Sequence, residues 1–237
     1  MANTAQTIVA QVAKWFPDAI FYKPTDTKVV ALTIDDVPCP NDPDDSSTRL
    51  ILDTIAQHNQ QLDNPDQQVR GTFFVISDHL HDGTMIIQEM LAQGHEIANH
   101  GTADETTALT PASVFEQHLK IADRRISEFC HQPLRWYRPG RGLYTPAMLA
   151  ALKTMPGYET RFALASMLPI DTFAPTNAPE FTIQYVSQFI FPGAILLLHG
   201  GTAVAAANTA IALKTILMRL QSQEYQVVTL SELWDKY

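Results

Sequence analysis

Five side chains capable of acid–base chemistry or metal binding each follow a short apolar run in this sequence. They are two adjacent carboxylates, one guanidinium and two imidazoles: Asp35, Asp36, Arg138, His100 and His199. A carboxylate and an imidazole can hold a divalent metal, which polarises a carbonyl group and activates water. A second carboxylate can accept a proton from that water, and a second imidazole can protonate the leaving group. These residue types together predict the hydrolysis of an acyl group.

Each of these residues taken alone has a plainer explanation. An aspartate at the end of a strand often caps the following helix, and a single histidine usually satisfies its hydrogen bonds within the protein. The set as a whole nevertheless favours a site, because all five residues follow the same kind of apolar run.

The segments that must position these residues alternate between two patterns. Short apolar runs predict strands at 29–34, 71–76, 96–98, 134–137, 162–165, 194–198 and 226–229. Apolar residues at helical spacing predict helices at 4–16, 48–59, 84–93, 111–129, 145–153, 203–221 and 231–237. About seven alternations in one compact length predict an α/β fold with a parallel sheet, compatible with a barrel. Loops at the carboxyl ends of parallel strands share one face, so the five side chains should converge there.

Composition and charge exclude several classes of protein. With 46% hydrophobic and 17% charged residues in 237, the chain is neither disordered nor a coiled coil. Its 16 basic and 25 acidic residues give a net charge of −9 without a basic stripe, so nucleic acid is not expected as a partner. No run approaches the roughly 18 apolar residues of a membrane span, so no membrane association is expected.

The two cysteines and the first residues of the chain carry little information about function. Cys39 and Cys130 are too few for a disulfide framework, and whether they pair is left open. The first residues lack a signal-peptide pattern, which predicts a cytoplasmic protein as written, with secretion as the alternative if a leader was removed. No linker or repeat divides residues 1–237, which are interpreted as one domain. The oligomeric state cannot be inferred.

Six segments, in order along the chain, resemble the motifs of the polysaccharide deacetylase family (carbohydrate esterase family 4). They are TIDDVP at 33–38, GTFF at 71–74, GHEIANH at 94–100, RPGRG at 138–142, DT at 171–172 and LLLH at 196–199. The family includes chitin, chitooligosaccharide and peptidoglycan deacetylases. The resemblance therefore implies a single-domain distorted (β/α)7-type barrel with parallel strands, with an N-terminal helix at 4–16 and a core at about 29–237. It also implies metal-dependent removal of an acyl group, above all N-acetyl, from an amino sugar or oligosaccharide.

The same resemblance implies roles for individual catalytic residues. Asp35 matches the general base, and His199 matches the general acid that protonates the departing group. Arg138 matches the arginine that orients the base. Asp171 lies in the weakest of the six matches and would be the carboxylate near the acid or the arginine.

The metal ligands are implied with one departure from the family pattern. Asp36 and His100 match the first two ligands, but Asp104 stands where the family has a second histidine, four residues after the first. Glu105 is an alternative third ligand. Zinc is the expected ion, and the extra carboxylate makes manganese, cobalt or magnesium alternatives.

Further departures concern the substrate. Val37 replaces the usual glycine and is expected to place a branched side chain beside the base. The tryptophan of the fourth motif is missing, so Trp136 and Tyr137 are expected to stack on a sugar, although Trp136 fits a core position equally well. Leu197 is expected to line an acetyl pocket. His95 is expected to be structural. The remaining histidines are expected on the surface: His58, His79, His81, His118 and His131.

Two other functions stay open at this point. Cyclic-amide hydrolases that resemble allantoinase or cyclic-imide hydrolase share the fold, and some carry an acidic residue at the second-histidine position and use no metal. Asp104 favours these enzymes, for which the substrate would be a small amide. A non-catalytic sugar-binding member is the third interpretation, which the presence of Asp35 and His199 disfavours.

Overall fold

The computed structural model describes residues 4–237 and contains, within that range, seven strands and eight α-helices. The strands are β1 (Ala19–Ile20), β2 (Val29–Val37), β3 (Gly71–Val75), β4 (Glu96–Asn99), β5 (Phe162–Ala163), β6 (Ile195–His199) and β7 (Gln226–Val228). The helices are α1 (Thr4–Trp15), α2 (Ser46–Asn59), α3 (Ile86–Ala92), α4 (Ala112–Cys130), α5 (Pro146–Leu152), α6 (Pro179–Phe189), α7 (Ala203–Ser222) and α8 (Leu230–Lys236).

The long strand β2 is the centre of a parallel sheet. It pairs with β3 on one side, and β4 extends the sheet beyond β3. On this same side β7 pairs with the start of β2, where the Arg70 amide just before β3 donates to the carbonyl oxygen of Val227, and β6 pairs with β2 on the opposite side. Eight of its nine residues are buried, which explains the continuous apolar run of the sequence. The predicted α/β fold with a parallel sheet is confirmed.

Hydrogen bonds outside the regular strands extend the sheet toward a closed but distorted barrel. A single bridge joins Asn99 at the end of β4 to Tyr137, whose carbonyl oxygen accepts a 3.0 Å hydrogen bond from the Ala163 amide of β5. The amide of Ser166, just after β5, donates to the carbonyl oxygen of Ile195 in β6 at 3.0 Å. These links bring the ends of β2, β4 and β6 to one side of the barrel.

Three elements differ from the sequence prediction. The strand predicted at 134–137 is reduced to one bridge at Tyr137. The two-residue strand β1 was not predicted, because two residues are too short to show alternation. Helix α6 lies in a segment for which no element is predicted: it begins with a proline, which the first turn tolerates, and buries only Thr182 and Val186.

Helix α7 and the cysteines also modify the sequence expectations. By length and composition alone α7 could cross a membrane, contrary to the expectation that no segment would qualify. In the fold it packs against α2 and α6 and buries seven residues along one face.

Cys39 and Cys130 are both buried free thiols, so the pairing left open by the sequence does not form.

Candidate active site

The carboxylates of Asp35 and Asp36 lie together although they are consecutive residues of β2. Successive side chains of a regular strand point to opposite faces of the sheet. Here the register against β3 shifts between Ile34 and Val37, and Asp36 adopts a left-handed φ of +66°. This irregularity lets both carboxylates approach His100, whose Nε2 lies 3.2 Å from Oδ1 of Asp36 and 3.7 Å from Oδ2 of Asp35.

Two glycines after β6 make room for this irregular strand end. A Cβ atom on Gly201 would lie 2.5 Å from the Cβ of Asp36, and one on Gly200 would lie 2.8 Å from Cγ1 of Val37. Val37 itself is fully buried. Its side chain belongs to the hydrophobic core, and the expectation that it lies beside the base stays a prediction.

Arg138 holds Asp35 in a buried ion pair. Its Nη1 lies 2.5 Å from Oδ1 of Asp35 and donates to Oγ1 of Thr33 at 2.9 Å. Its Nε and Nη2 donate to the carbonyl oxygens of Ala163 and Leu164 at 2.7 and 3.1 Å. With four acceptors around one buried guanidinium, the position of the Asp35 carboxylate is closely determined.

His100 and Asp36 form the second buried pair. Nδ1 of His100 lies 2.8 Å from the carbonyl oxygen of Arg138 and donates to it, which leaves Nε2 facing Asp36. Burial alone would raise the pKa of Asp36, but the hydrogen bond and charge of His100, with the charges of His199 and Arg141, lower that pKa to about 2. The Asp36 carboxylate is therefore an anion at neutral pH.

Asp171 holds His199 in a third pair. Nδ1 of His199 lies 3.0 Å from both carboxylate oxygens of Asp171, and the His199 amide donates to Oδ2 at 2.9 Å. Burial opposes protonation of His199, but Asp171, with Asp35 and Asp36, outweighs it and raises the pKa of His199 to about 9. The imidazole is thus protonated at neutral pH and can donate a proton from Nε2.

We expect Asp171→Asn to lower the pKa of His199 from about 9 toward the ordinary 6.5, because the variant removes the charge that holds the proton. Since the folded-state pKa lies above 6.5, His199 contributes stability that is complete below pH 6.5 and is lost as pH rises through 9. NMR titration of the imidazole and urea unfolding across this range measure both effects. Asp44→Asn, which removes an exposed carboxylate elsewhere, is the control, and an unchanged titration in Asp171→Asn would contradict the assignment.

A cavity of about 280 Å³ opens at these pairs. Of the predicted site residues, four line it: Asp36, Asp104, Asp171 and His199. Its wall also includes polar residues that sequence reasoning missed: His79, Arg141, Asn177, Thr202 and Asn208. Asp35, His100 and Arg138 are buried and reach the site through their contacts with one another and with Asp36.

His79 is the clearest of the missed residues, because it was expected at the surface. Its Nδ1 lies 3.2 Å from the carbonyl oxygen of Asp36 and 2.9 Å from that of Pro38, so it donates to the loop that carries Asp36. The available sequence signal was its position four residues after β3, at the same end of the sheet. His58, also expected at the surface, is buried on α2.

The donors present fit part of a metal site. Asp36 and His100 supply one oxygen and one nitrogen at 3.2 Å from each other, and the Nδ1 hydrogen bond of His100 is typical of a metal-binding imidazole. Asp104 does not join them, because its Oδ1 lies 2.8 Å from Nη2 of Arg141. Within residues 4–237 no group of three His, Cys, Asp or Glu side chains is close enough to hold an ion. Two of the three predicted donors therefore converge.

The structure places the residues predicted to contact substrate away from the cavity. Trp136 is fully buried, with Nε1 donating to Oε1 of Glu96 and Oγ of Ser231 at 3.1 and 2.9 Å. Tyr137 is buried too, so neither ring can stack on a sugar. The two consecutive side chains pack in different hydrophobic clusters of the core. Leu197 is half-buried on β6 outside the cavity lining, and its role stays a prediction.

Comparison with known proteins gives consistent matches. A family model described as polysaccharide deacetylase matches residues 22–159. The chain is 31% identical over 223 residues to a chitooligosaccharide deacetylase of Bradyrhizobium sp. (strain ANU 289), which covers 87% of this chain and 91% of the relative.

Two solved structures resemble the fold. A family 4 acetyl xylan esterase from Clostridium thermocellum, in complex with a cobalt ion, matches with a TM-score of 0.72 and 26% identity over 87% of this chain and 90% of that one. A CE4 family pseudoenzyme from Bacillus anthracis matches with a TM-score of 0.76 and 22% identity over 93% and 70% of the two chains. At that identity the second likeness concerns the fold alone.

Proposed function

Because the chain belongs to the polysaccharide deacetylase family, we propose that it hydrolyses the N-acetyl group of an acetylated amino sugar or a short oligosaccharide of such sugars. The observation that supports this most directly is that Asp35 and His199 lie next to each other on adjacent strands. These residues are register partners on the neighbouring parallel strands β2 and β6, so their side chains leave the same side of the sheet. One is a carboxylate held by a buried arginine, and the other is an imidazole that is protonated at neutral pH.

In the proposed reaction Asp35 accepts a proton from water as the water oxygen attacks the acetyl carbonyl carbon. Arg138 orients the Asp35 carboxylate and leaves Oδ2 free of its hydrogen bond, since Nη1 contacts Oδ1. The attack forms a tetrahedral intermediate. His199 then donates its Nε2 proton to the sugar nitrogen, the carbon–nitrogen bond breaks, and acetate and a free amine are released. Asp171 stabilises the charged imidazole before the transfer.

Asp36 and His100 would hold the divalent metal that the family implies, with zinc as the proposed ion. When bound, such an ion polarises the acetyl carbonyl group and lowers the pKa of water. The anionic state of Asp36 suits this role, because a metal-binding carboxylate must be deprotonated. The related family 4 esterase was solved in complex with a cobalt ion, which supports a metal-dependent reaction.

The direct test is acetate release from N-acetylglucosamine oligomers by protein that has been stripped with a chelator and reloaded with zinc. We expect activity to return with zinc in the wild type. Asp36→Ala and His100→Ala should weaken zinc binding by at least the roughly 100-fold that loss of an outer-shell partner can cost. Elemental analysis after dialysis measures the bound zinc, and circular dichroism checks folding. Peptidoglycan fragments assayed in parallel distinguish the sugar context.

One observation favours the second candidate, a cyclic-amide hydrolase that uses no metal. Asp104, at the place of the family's second histidine, is paired with Arg141 and forms no three-donor group with Asp36 and His100 in the described residues. Cyclic imides and ureides assayed in chelator test this function. Turnover of these compounds without acetate release from any sugar, at saturating zinc, would overturn the proposed deacetylation. Absence of turnover with every substrate, together with sugar binding, would instead indicate a non-catalytic member.

A further inference from the structure

The residue at the third metal position carries a feature that the proposed reaction does not use. Asp104 lines the same cavity as Asp36, but its carboxylate is bound to Arg141 at 2.8 Å. Arg141 also lines the cavity, and its charge contributes to the low pKa of Asp36. The Arg141 guanidinium therefore forms an ion pair with one predicted metal donor, Asp104, and interacts electrostatically with a second, Asp36.

The backbone holds Arg141 and Asp104 against each other. Arg141 is the central residue of the 3₁₀ turn Gly140–Gly142 and has a left-handed φ of +60°, a costly conformation for a residue with a side chain. A Cβ atom on Gly140 would lie 2.0 Å from the carbonyl oxygen of Glu105, so the turn is set directly on the loop that carries Asp104. Only a glycine permits this approach.

The side chains of the pair remain free to separate. They are 51% and 45% exposed for Arg141 and Asp104, so neither is enclosed by the core. Rotation of the side chains can release the Asp104 carboxylate, while the contact of Gly140 with Glu105 keeps the two loops in place. The contact between the two loops therefore does not depend on the ion pair.

We propose that Arg141 competes with the divalent metal for the carboxylate of Asp104, and so sets how tightly this site binds its ion. Asp104 is then the third donor, available only when Arg141 releases it. The inference rests on the proposed function, because it concerns the metal that the proposed deacetylation uses. A solvent-exposed pair is weak, so the competition should lower zinc affinity by about threefold to fivefold.

The test is a double-mutant cycle on zinc binding, read by isothermal titration calorimetry without substrate. The chelator-stripped proteins are the wild type, Arg141→Gln, Asp104→Asn and the double variant, titrated with zinc alone. We expect Arg141→Gln to bind zinc about threefold to fivefold more tightly than the wild type. In the Asp104→Asn background the same change should have a clearly smaller effect, because the carboxylate over which the two cations compete is gone.

Controls separate this competition from simple charge repulsion. Arg135→Gln removes a guanidinium that is also paired with a carboxylate, Asp235, at 2.6 Å, but that does not line this cavity, and it should leave zinc affinity unchanged. Equal gains from Arg141→Gln with and without Asp104 would show through-space repulsion and overturn the proposal. An unchanged affinity in Arg141→Gln would overturn it as well, and a loss in His79→Gln would then assign the third position to His79.

The outcomes also separate this inference from the proposed function. Zinc binding that restores acetate release but does not respond to Arg141→Gln overturns the competition and leaves the deacetylation intact. Failure of every variant to bind zinc overturns the competition together with the metal part of the proposed function. Acetate release is measured independently of both results.

Discussion

Asp35→Asn should lower kcat/KM for acetate release by about 10²- to 10⁴-fold, the range that a general base contributes. Asparagine has nearly the same shape, and its Oδ1 can still accept the hydrogen bond from Nη1 of Arg138, now 2.5 Å from the carboxylate. It cannot accept a proton from water near neutral pH. The variant therefore removes the proposed chemistry while keeping most of the contacts that position the residue.

Steady-state kinetics with the zinc-loaded variant measure this effect. The matched control is Asp45→Asn, because Asp45 is equally buried but contacts Thr84 and His81 outside the cavity. This control measures how far kcat/KM falls when a buried carboxylate outside the site loses its charge. Its kcat/KM should stay within about twofold of the wild type. If Asp35→Asn kept full turnover, the base would have to be another residue.

Arg138→Met should produce the largest loss of stability, about 3–5 kcal/mol in the free energy of unfolding. Arg138 is 3% exposed and donates to the side chains of Asp35 and Thr33 and to two carbonyl oxygens. Methionine fills much of the volume but leaves the buried Asp35 carboxylate without its counter-charge. The desolvation of that uncompensated anion, rather than the loss of packing, is the dominant cost.

Urea unfolding measures this loss, and two further variants show its origin. Arg135→Met breaks a partly exposed ion pair with Asp235 and should cost only about 0–1 kcal/mol. Adding Asp35→Asn to Arg138→Met should recover part of the lost stability, because no buried charge is then left unpaired. A double variant less stable than Arg138→Met would contradict this electrostatic explanation. Activity should be absent in both variants that lack Arg138.

The sheet was predictable from the sequence because its signal is local. The apolar run of β2 is continuous since the strand is buried on both faces, and the polar residues that follow it mark where the chain leaves the sheet. The strand predicted at 134–137 forms only one bridge, and α6, for which no element was predicted, has only two buried residues to mark a helical period in the sequence.

The candidate site was predictable in its membership and less so in its geometry. The strand ends brought Asp35, Asp36, His100 and His199 together, as parallel topology requires. Nothing local revealed that the register shift and the left-handed Asp36 turn two consecutive carboxylates toward one imidazole. Asp171 illustrates the same limit, because its motif match was weak and its role became visible only at 3.0 Å from His199.

The sequence by itself thus determined which residue types stand at the ends of which strands, and with them the fold class and the family. The tertiary structure decided which of those residues meet. It buried Trp136 in the core, brought His79 to the cavity wall and paired Asp104 with Arg141. The physical reason is the separation along the chain of the residues involved. Apolar periodicity and strand ends depend on residues that are near neighbours in the sequence. Ion pairs and cavities form between segments that are distant in the chain and meet only when the barrel has folded.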